Sequence, residues 1–213
     1  MRQLLNKIYN KGKRKFNRKE PALPIPEISI KRNDILEIAE KFIDAKIFIE
    51  TGTFFGDTIE SFKNNFTKLY SIELSEELAD KAKKRFQNNT NISIVQGNSS
   101  VQLSNILREI NETCIFWLDG HYSSEFWVGK EFIQTAKGEK NTPITEELLQ
   151  IINHKVKDHI ILIDDARCFN GEQDYPGIKK IKNLISKHLP SHTFEVKNDI
   201  IRILPKNNLY ERC

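Results

Sequence analysis

Five carboxylates stand where short apolar runs end. Glu50 follows the run 47–49, Glu73 closes 68–72, Asp119 closes 114–118, and Asp164 and Asp165 close 159–163. His121 lies two residues beyond Asp119. Apolar runs of this length, bounded by turn residues, read as buried strands. A carboxylate at a strand tip desolvates badly unless it is paired, hydrogen-bonded or bound to a cation. So many acids at strand tips are hard to explain as packing. The turn after Glu50 carries Gly52 and Gly56 and then Thr58. Such a turn lets backbone N–H groups and a carboxylate approach a small ligand closely. An acid at the tip of the second strand can grip ribose hydroxyls. Together these features point to a nucleoside-bearing cofactor in an open α/β sheet.

The dinucleotide fingerprint G-x-G-x-x-G is absent, because only Gly52 and Gly56 are present, spaced G-x-x-x-G. The arrangement Glu50-x-Gly52-x-x-x-Gly56-x-Thr58 resembles motif I of class I S-adenosylmethionine-dependent methyltransferases. With the acids at the fourth and fifth strand tips, the chain is most similar to the metal-dependent branch, the catechol-type and macrocin-type O-methyltransferases. The resemblance spans roughly residues 34 to 205. It implies a single Rossmann-like α/β domain, with a mostly parallel seven-stranded sheet, helices on both faces and a C-terminal antiparallel hairpin.

The resemblance also assigns roles. Glu50 and Gly52 are expected at the methionine end of S-adenosylmethionine, with Gly56 and Thr58 in the turn and first helical residues beyond. Glu73 is expected on the ribose. Asn98 or Ser99, after the third strand, is expected near the adenine; capping of the next helix is the competing role. Asp119, Asp164 and Asp165 are expected to hold one divalent cation, with Mg²⁺ ahead of Mn²⁺ or Ca²⁺ because the ligands are hard oxygens. Successive strand residues point to opposite faces, so Asp164 and Asp165 converge only if the strand ends before them. Asp119 and His121 are the candidate catalytic pair, since an imidazole titrates near neutrality. The implied reaction is O-methylation of a hydroxyl on a sugar, polyol or small natural product. A non-catalytic binding or membrane-tethered module on the same fold is the rival, and the acids at the strand tips argue against it.

Positioning elements follow from periodicity. Ile35, Ile38, Ala39 and Phe42 mark one face of a helix, with Asn33 or Asp34 as its cap. Strands are expected at 47–50, 68–72, 92–96, 114–118 and 159–163, alternating with helices, which argues for a parallel sheet. Two further strands, 193–196 and 200–204, flank Lys197-Asn-Asp199 and read as a hairpin. The segment 120–142 between the fourth strand and its helix is long for a compact domain. Its aromatics Tyr122, Phe126 and Trp127 suggest a lid over a ring-shaped substrate.

The 213 residues suit one domain of ordinary size. Residues 1–20 read as a basic tail, 21–32 as a Pro-rich linker and 33–213 as the methyltransferase domain. Residues 1–19 hold eight Lys and Arg and no acid, so the whole-chain charge of +4 leaves −4 for the remainder. A basic face for nucleic acid is therefore not expected. The tail suits peripheral contact with anionic membrane, and a solvated arm is the alternative. No apolar run approaches the ~20 residues that span a bilayer, and no apolar stretch follows the basic N-terminus as in a secretory signal. Three cysteines, an odd and small number, fit a reduced protein, so a cytoplasmic location is expected.

Overall fold

The computed structural model describes residues 25–120, 138 and 140–206, with the backbone alone at 125–128 and 131–134. The apolar runs become strands because both of their faces are covered. They are β1 (Ile47–Thr51), β2 (Lys68–Glu73), β3 (Ile92–Gln96), β4 (Cys114–Leu118), β5 (Glu125–Val128), β6 (Glu131–Gln134), β7 (Ile160–Ile163), β8 (His192–Lys197) and β9 (Ile200–Pro205). The helices are α1 (Ile28–Lys41), α2 (Asp57–Phe62), α3 (Glu76–Arg85), α4 (Ser99–Glu109), α5 (Ile144–Asn153) and α6 (Ile178–His188).

Side chains alternate across the sheet, as a period of two requires. Ile47, Ile49, Phe116, Ile161 and Ile203 face a cluster that includes Leu103 of α4, Leu148 of α5 and Ile181 of α6. Phe48, Leu69, Trp117, Leu162 and Ile200 face Ile35 and Ile38 of α1 and Ile59 and Phe62 of α2. A sheet covered on both faces explains why the strands read as continuous apolar runs.

The main sheet runs β3-β2-β1-β4-β7-β9-β8. The first five of these strands are mutually parallel, and β9 is antiparallel to both β7 and β8. The strand order reverses between β1 and β4. Ligands of open α/β sheets bind outside the carboxyl ends of the strands at such a switch point.

Two expectations change. Helix α1 starts at Ile28, inside the stretch read as linker, so Lys31 and Arg32 are helical. Asp34 does not cap it; the side chain is buried and accepts from Arg202 of β9 and from Asn198 Nδ2 at 2.9 Å. A partner more than 160 positions away is invisible to a local capping pattern. The segment 120–142 is not all loop. Strands β5 and β6 pair antiparallel from Glu125↔Gln134 to Val128↔Glu131. Two β-prone runs separated by Gly-X are a hairpin signal. The lid function of Tyr122, Phe126 and Trp127 rests on side chains outside the described residues.

A buried histidine chain ties the sheet's other end. The Cys114 N–H donates to His159 Nδ1 at 3.1 Å. Nε2 of that ring therefore carries the proton and donates to His154 Nδ1 at 2.8 Å. His154 Nε2 in turn donates to the Leu107 carbonyl at 3.0 Å. All four ring nitrogens are satisfied with both rings neutral. Burial, then the neighbouring His154, His192 and Lys157, push the His159 pKa down to about 3.

Candidate cofactor and active site

At the switch point the β1–α2 turn lies against the end of β4. Gly52 has φ +85°, and a Cβ there would stand 2.6 Å from the Asp119 carbonyl oxygen. Only glycine permits that approach. Gly56, φ +80°, begins α2, and a Cβ there would meet the Phe86 ring at 2.7 Å. Arg85 holds the turn from outside, donating to the Phe55 carbonyl at 2.6 Å and to Asp57 at 2.7 Å.

Glu73 ends β2 and is clasped by two backbone donors. Phe54 N–H donates to one carboxylate oxygen at 2.8 Å, and Ser75 N–H to the other at 2.9 Å. A carboxylate offers about four lone-pair sites, so a fixed Glu73 retains acceptor capacity for two vicinal hydroxyls. The clasp joins the β1 turn to the β2 tip, which is where a ribose grip is expected.

Glu50 is 1% exposed and accepts from Ser71 Oγ at 2.5 Å; Thr53 Oγ1 extends this chain at 2.6 Å from Ser71 Oγ. Thr58 lies beside Glu50 and favours its ionised form. Burial, with the charges of Asp119 and Glu73, pushes the Glu50 carboxyl up to about 8, against the pull of Ser71 and Thr58. Glu147 of α5 was not expected in the site. It is 1% exposed, lies beside Ser99 and Thr51, and is pushed up to about 7 by burial and by the charges of Glu146 and Asp119, against the pull of those two hydroxyls. Its Oε1 is buried without a hydrogen bond, 3.3 Å from where a Gly120 Cβ would stand. Asp119 thus acts electrostatically on acids from β1, α5 and β7.

Strand β7 ends at Ile163, so Asp164 and Asp165 both lie beyond it, Asp165 in a left-handed turn with φ 54°. They converge, but on an ammonium group. Lys31 of α1 donates to Asp164 Oδ1 and, at 2.9 Å, to Asp165 Oδ1, and lies 3.9 Å from Asp199. Arg167 pairs with Asp165 at 2.7 Å and also with Asp199. Burial alone would lower the Lys31 pKa; the bonds and charges of Asp164 and Asp165 outweigh it, and the net direction is up. Burial, then Asp119 and Asp165, push Asp164 up despite Lys31. Lys31 and Asp164 both shift up because the acids here outnumber the cations.

The donor set does not fit a divalent cation as arranged. An ion coordinated at ~2.0–2.6 Å by the same carboxylate oxygens would sit roughly 4 Å from the ammonium. At an effective dielectric of 20, that repulsion is on the order of 8 kcal/mol. Among the described residues no group of three or more His, Cys, Asp or Glu is arranged to hold a metal ion.

Of the expected residues, Glu50, Gly52, Gly56, Thr58 and Glu73 gather at the β1–β2 tips. Ser99 lies beside Glu147, while Asn98 Oδ1 caps α4, accepting from Ser100 N–H at 3.0 Å. Asp119 faces the buried acids, and Asp164 and Asp165 face Lys31. His121 lies outside the described residues. Lys31 and Glu147 escaped the sequence reading because each sits in an amphipathic helix, where a charge ordinarily marks the solvated side.

The strand order, the antiparallel β9 and the glycine turn at the switch point define the class I S-adenosylmethionine-dependent methyltransferase fold. Solved structures of that fold superimpose on most of the chain. TomG from Streptomyces achromogenes, an O-methyltransferase of tomaymycin synthesis in complex with S-adenosylmethionine, matches at 12% identity and TM-score 0.57, covering 85% of this chain and 82% of its own. An O-methyltransferase from Bacillus cereus in complex with S-adenosylhomocysteine matches at 14% identity and TM-score 0.57, covering 95% and 88%. An rRNA methylase from Streptococcus thermophilus matches at 15% identity and TM-score 0.53, covering 86% and 99%. No family model matches the sequence, and no curated protein does.

Proposed function

We propose that this protein is an S-adenosylmethionine-dependent methyltransferase that methylates a hydroxyl of a small molecule, with sugars, polyols and small natural products as the acceptor class. One observation carries this reading. Glu73 is fixed by two backbone N–H groups at the tip of β2, directly beside the Gly52–Gly56 turn. The O-methyltransferases of the same fold support the choice of hydroxyl over nucleic acid. So does the charge of the chain beyond residue 19, which is net negative.

When bound, the cofactor supplies a methyl group on a sulfonium. The protein's share is placement and charge. Glu73 would orient the ribose. Glu50, 1% exposed, would face the cationic methionine end. Ser99 would approach the adenine. Asp119 would stabilise positive charge at the switch point, and His121 would take the hydroxyl proton as the C–O bond forms and the S–C bond breaks. The strand-tip acids first suggest a metal-dependent form of this reaction; Lys31 and Arg167 already neutralise two of them, so the metal-free form is favoured. The basic residues 1–20 are assigned to contact with an anionic surface. Among the described residues no helix is long and apolar enough to cross a membrane.

The test is calorimetry with S-adenosylhomocysteine. Charge-assisted bonds are worth ~1.5–3 kcal/mol each, so Glu73→Ala should weaken binding tenfold or more. A folded wild-type protein with no affinity for either S-adenosylmethionine or S-adenosylhomocysteine would leave the binding-module reading in its place. Unchanged affinity in Glu73→Ala would remove Glu73 from the ribose.

A further inference from the structure

We propose that Lys31 is the resident cation of the strand-tip acid cluster, so that helix α1 completes the reaction centre and the cluster excludes a divalent ion. The proposal rests on the methyltransferase reading for what the cluster serves, though not for the ion exclusion itself.

Four observations converge. Lys31 is 5% exposed, and a lysine is almost never that buried unless paired. Its ammonium reaches Asp164, Asp165 and Asp199, residues from two separate stretches of chain at the same sheet edge. Asp164 and Asp165 are two of the three acids from which a metal ligand set would be drawn. Lys31 engages one oxygen, Oδ1, of each of these two carboxylates.

Simple packing does not explain this lysine. Helix α1 is already seated by Ile35 and Ile38 in the core and by the Asp34–Arg202 ion pair. A buried ammonium is a poor way to add stability, because an apolar side chain of similar volume often serves as well or better. What an apolar residue could not do is neutralise acids that must stand together. Asp165 and Asp199 hold left-handed backbone, at φ 54° and 61°, while their carboxylates meet the same cations. Lys31 bonds to the acids of the cluster. It acts through Asp164, Asp165 and Asp199, and is therefore a positioning residue.

Its geometry separates it from a metal. A lysine stem supplies one charge at a fixed place and three donors, with no open coordination position. The acid surplus left over includes Asp119, whose charge acts on Asp164 and on the buried Glu50 and Glu147.

The experiment is a Mn²⁺ titration of chelator-stripped full-length protein, followed by electron paramagnetic resonance. Wild type should show no site tighter than about 1 mM, and Lys31→Arg should behave alike. Lys31→Met keeps the apolar stem and removes the charge. It should gain one Mn²⁺ site at least tenfold tighter than any in wild type, and Lys31→Met/Asp164→Asn should lose it again. A purely structural role for Lys31 would not create an ion site. Stoichiometric Mn²⁺ binding by wild type that disappears in Asp164→Asn would overturn the proposal, and so would a folded Lys31→Met that gains no ion. Should Lys31→Met fail to fold, Lys31→Gln, neutral but still able to donate to Asp164, is titrated in its place with the same two outcomes. Calorimetry with S-adenosylhomocysteine on the same samples judges the methyltransferase reading separately.

Discussion

Replacing Glu50 by Gln should move stability and binding in opposite directions. The Glu50 carboxyl ionises near 4.5 in the unfolded chain but only near 8 in the fold. The folded pKa is raised, so the folded state binds the extra proton between these values. Stability is therefore full below about pH 4.5 and declines by about 1.4 kcal/mol per pH unit up to pH 8. At pH 7 the accumulated cost is about 3 kcal/mol. Gln cannot ionise, and its carbonyl can still accept from Ser71 Oγ, now 2.5 Å from Glu50. For a domain of this size the ligand-free variant should melt roughly 6–12 °C higher at pH 7. Binding runs the other way. If Glu50 meets the ligand's ammonium as a carboxylate, the complex needs the ionised form, which is about a tenth of the wild-type population at pH 7. S-adenosylhomocysteine affinity should then climb roughly twentyfold from pH 6 to pH 7.5, with proton release measurable by calorimetry in buffers of different ionisation enthalpy. In Glu50→Gln the climb and the release should vanish, and affinity at pH 7.5 should be lower. A variant that melts no higher than wild type refutes the stability argument. One that keeps the pH slope refutes the placement of Glu50 at the cation. Such opposed effects are the usual mark of a residue retained for function against stability.

Two other predictions address the frame. Gly52→Ala should cost at least about 1–2 kcal/mol from the left-handed backbone alone. The new methyl would also press on the Asp119 carbonyl, so S-adenosylhomocysteine affinity should fall with the melting temperature; an alanine variant with wild-type melting and binding would contradict the close β1–β4 approach. The neutral histidine chain should make the protein acid-sensitive. His159 is held near 3 against an ordinary 6.5, so its contribution is present above pH 6.5 and is lost as pH falls toward 3. That loss is about 3 kcal/mol at pH 4.5. His159→Asn, which keeps an acceptor for the Cys114 N–H, should flatten the decline in urea-melt stability, and an unchanged slope would assign the acid sensitivity elsewhere.

Much of this protein was legible in its sequence because the signals are local. Apolar runs such as 114–118 name their strands, since a strand buried on both faces needs no alternation. The acid at each run's end names the sheet edge, and Gly52 and Gly56 name the turn, because few other residues tolerate φ near +80° without strain. The start of α1 was misplaced. No side chain caps it, and Ser29, Lys31 and Arg32 look like linker until Ile35 and Ile38 find the core. What the acids meet was decided only in three dimensions. Lys31 and Asp164 are separated by 133 positions, and Asp34 and Arg202 by 168. A lysine on an amphipathic helix reads as solvated, and nothing within a few residues distinguishes it from Lys41 on the same helix. Glu147 shares its first helical turn with the half-exposed Glu146, yet one of the two is buried against Thr51 and Ser99. Burying a charge is costly unless a partner waits in the fold, and partners from distant segments are brought together only by tertiary packing.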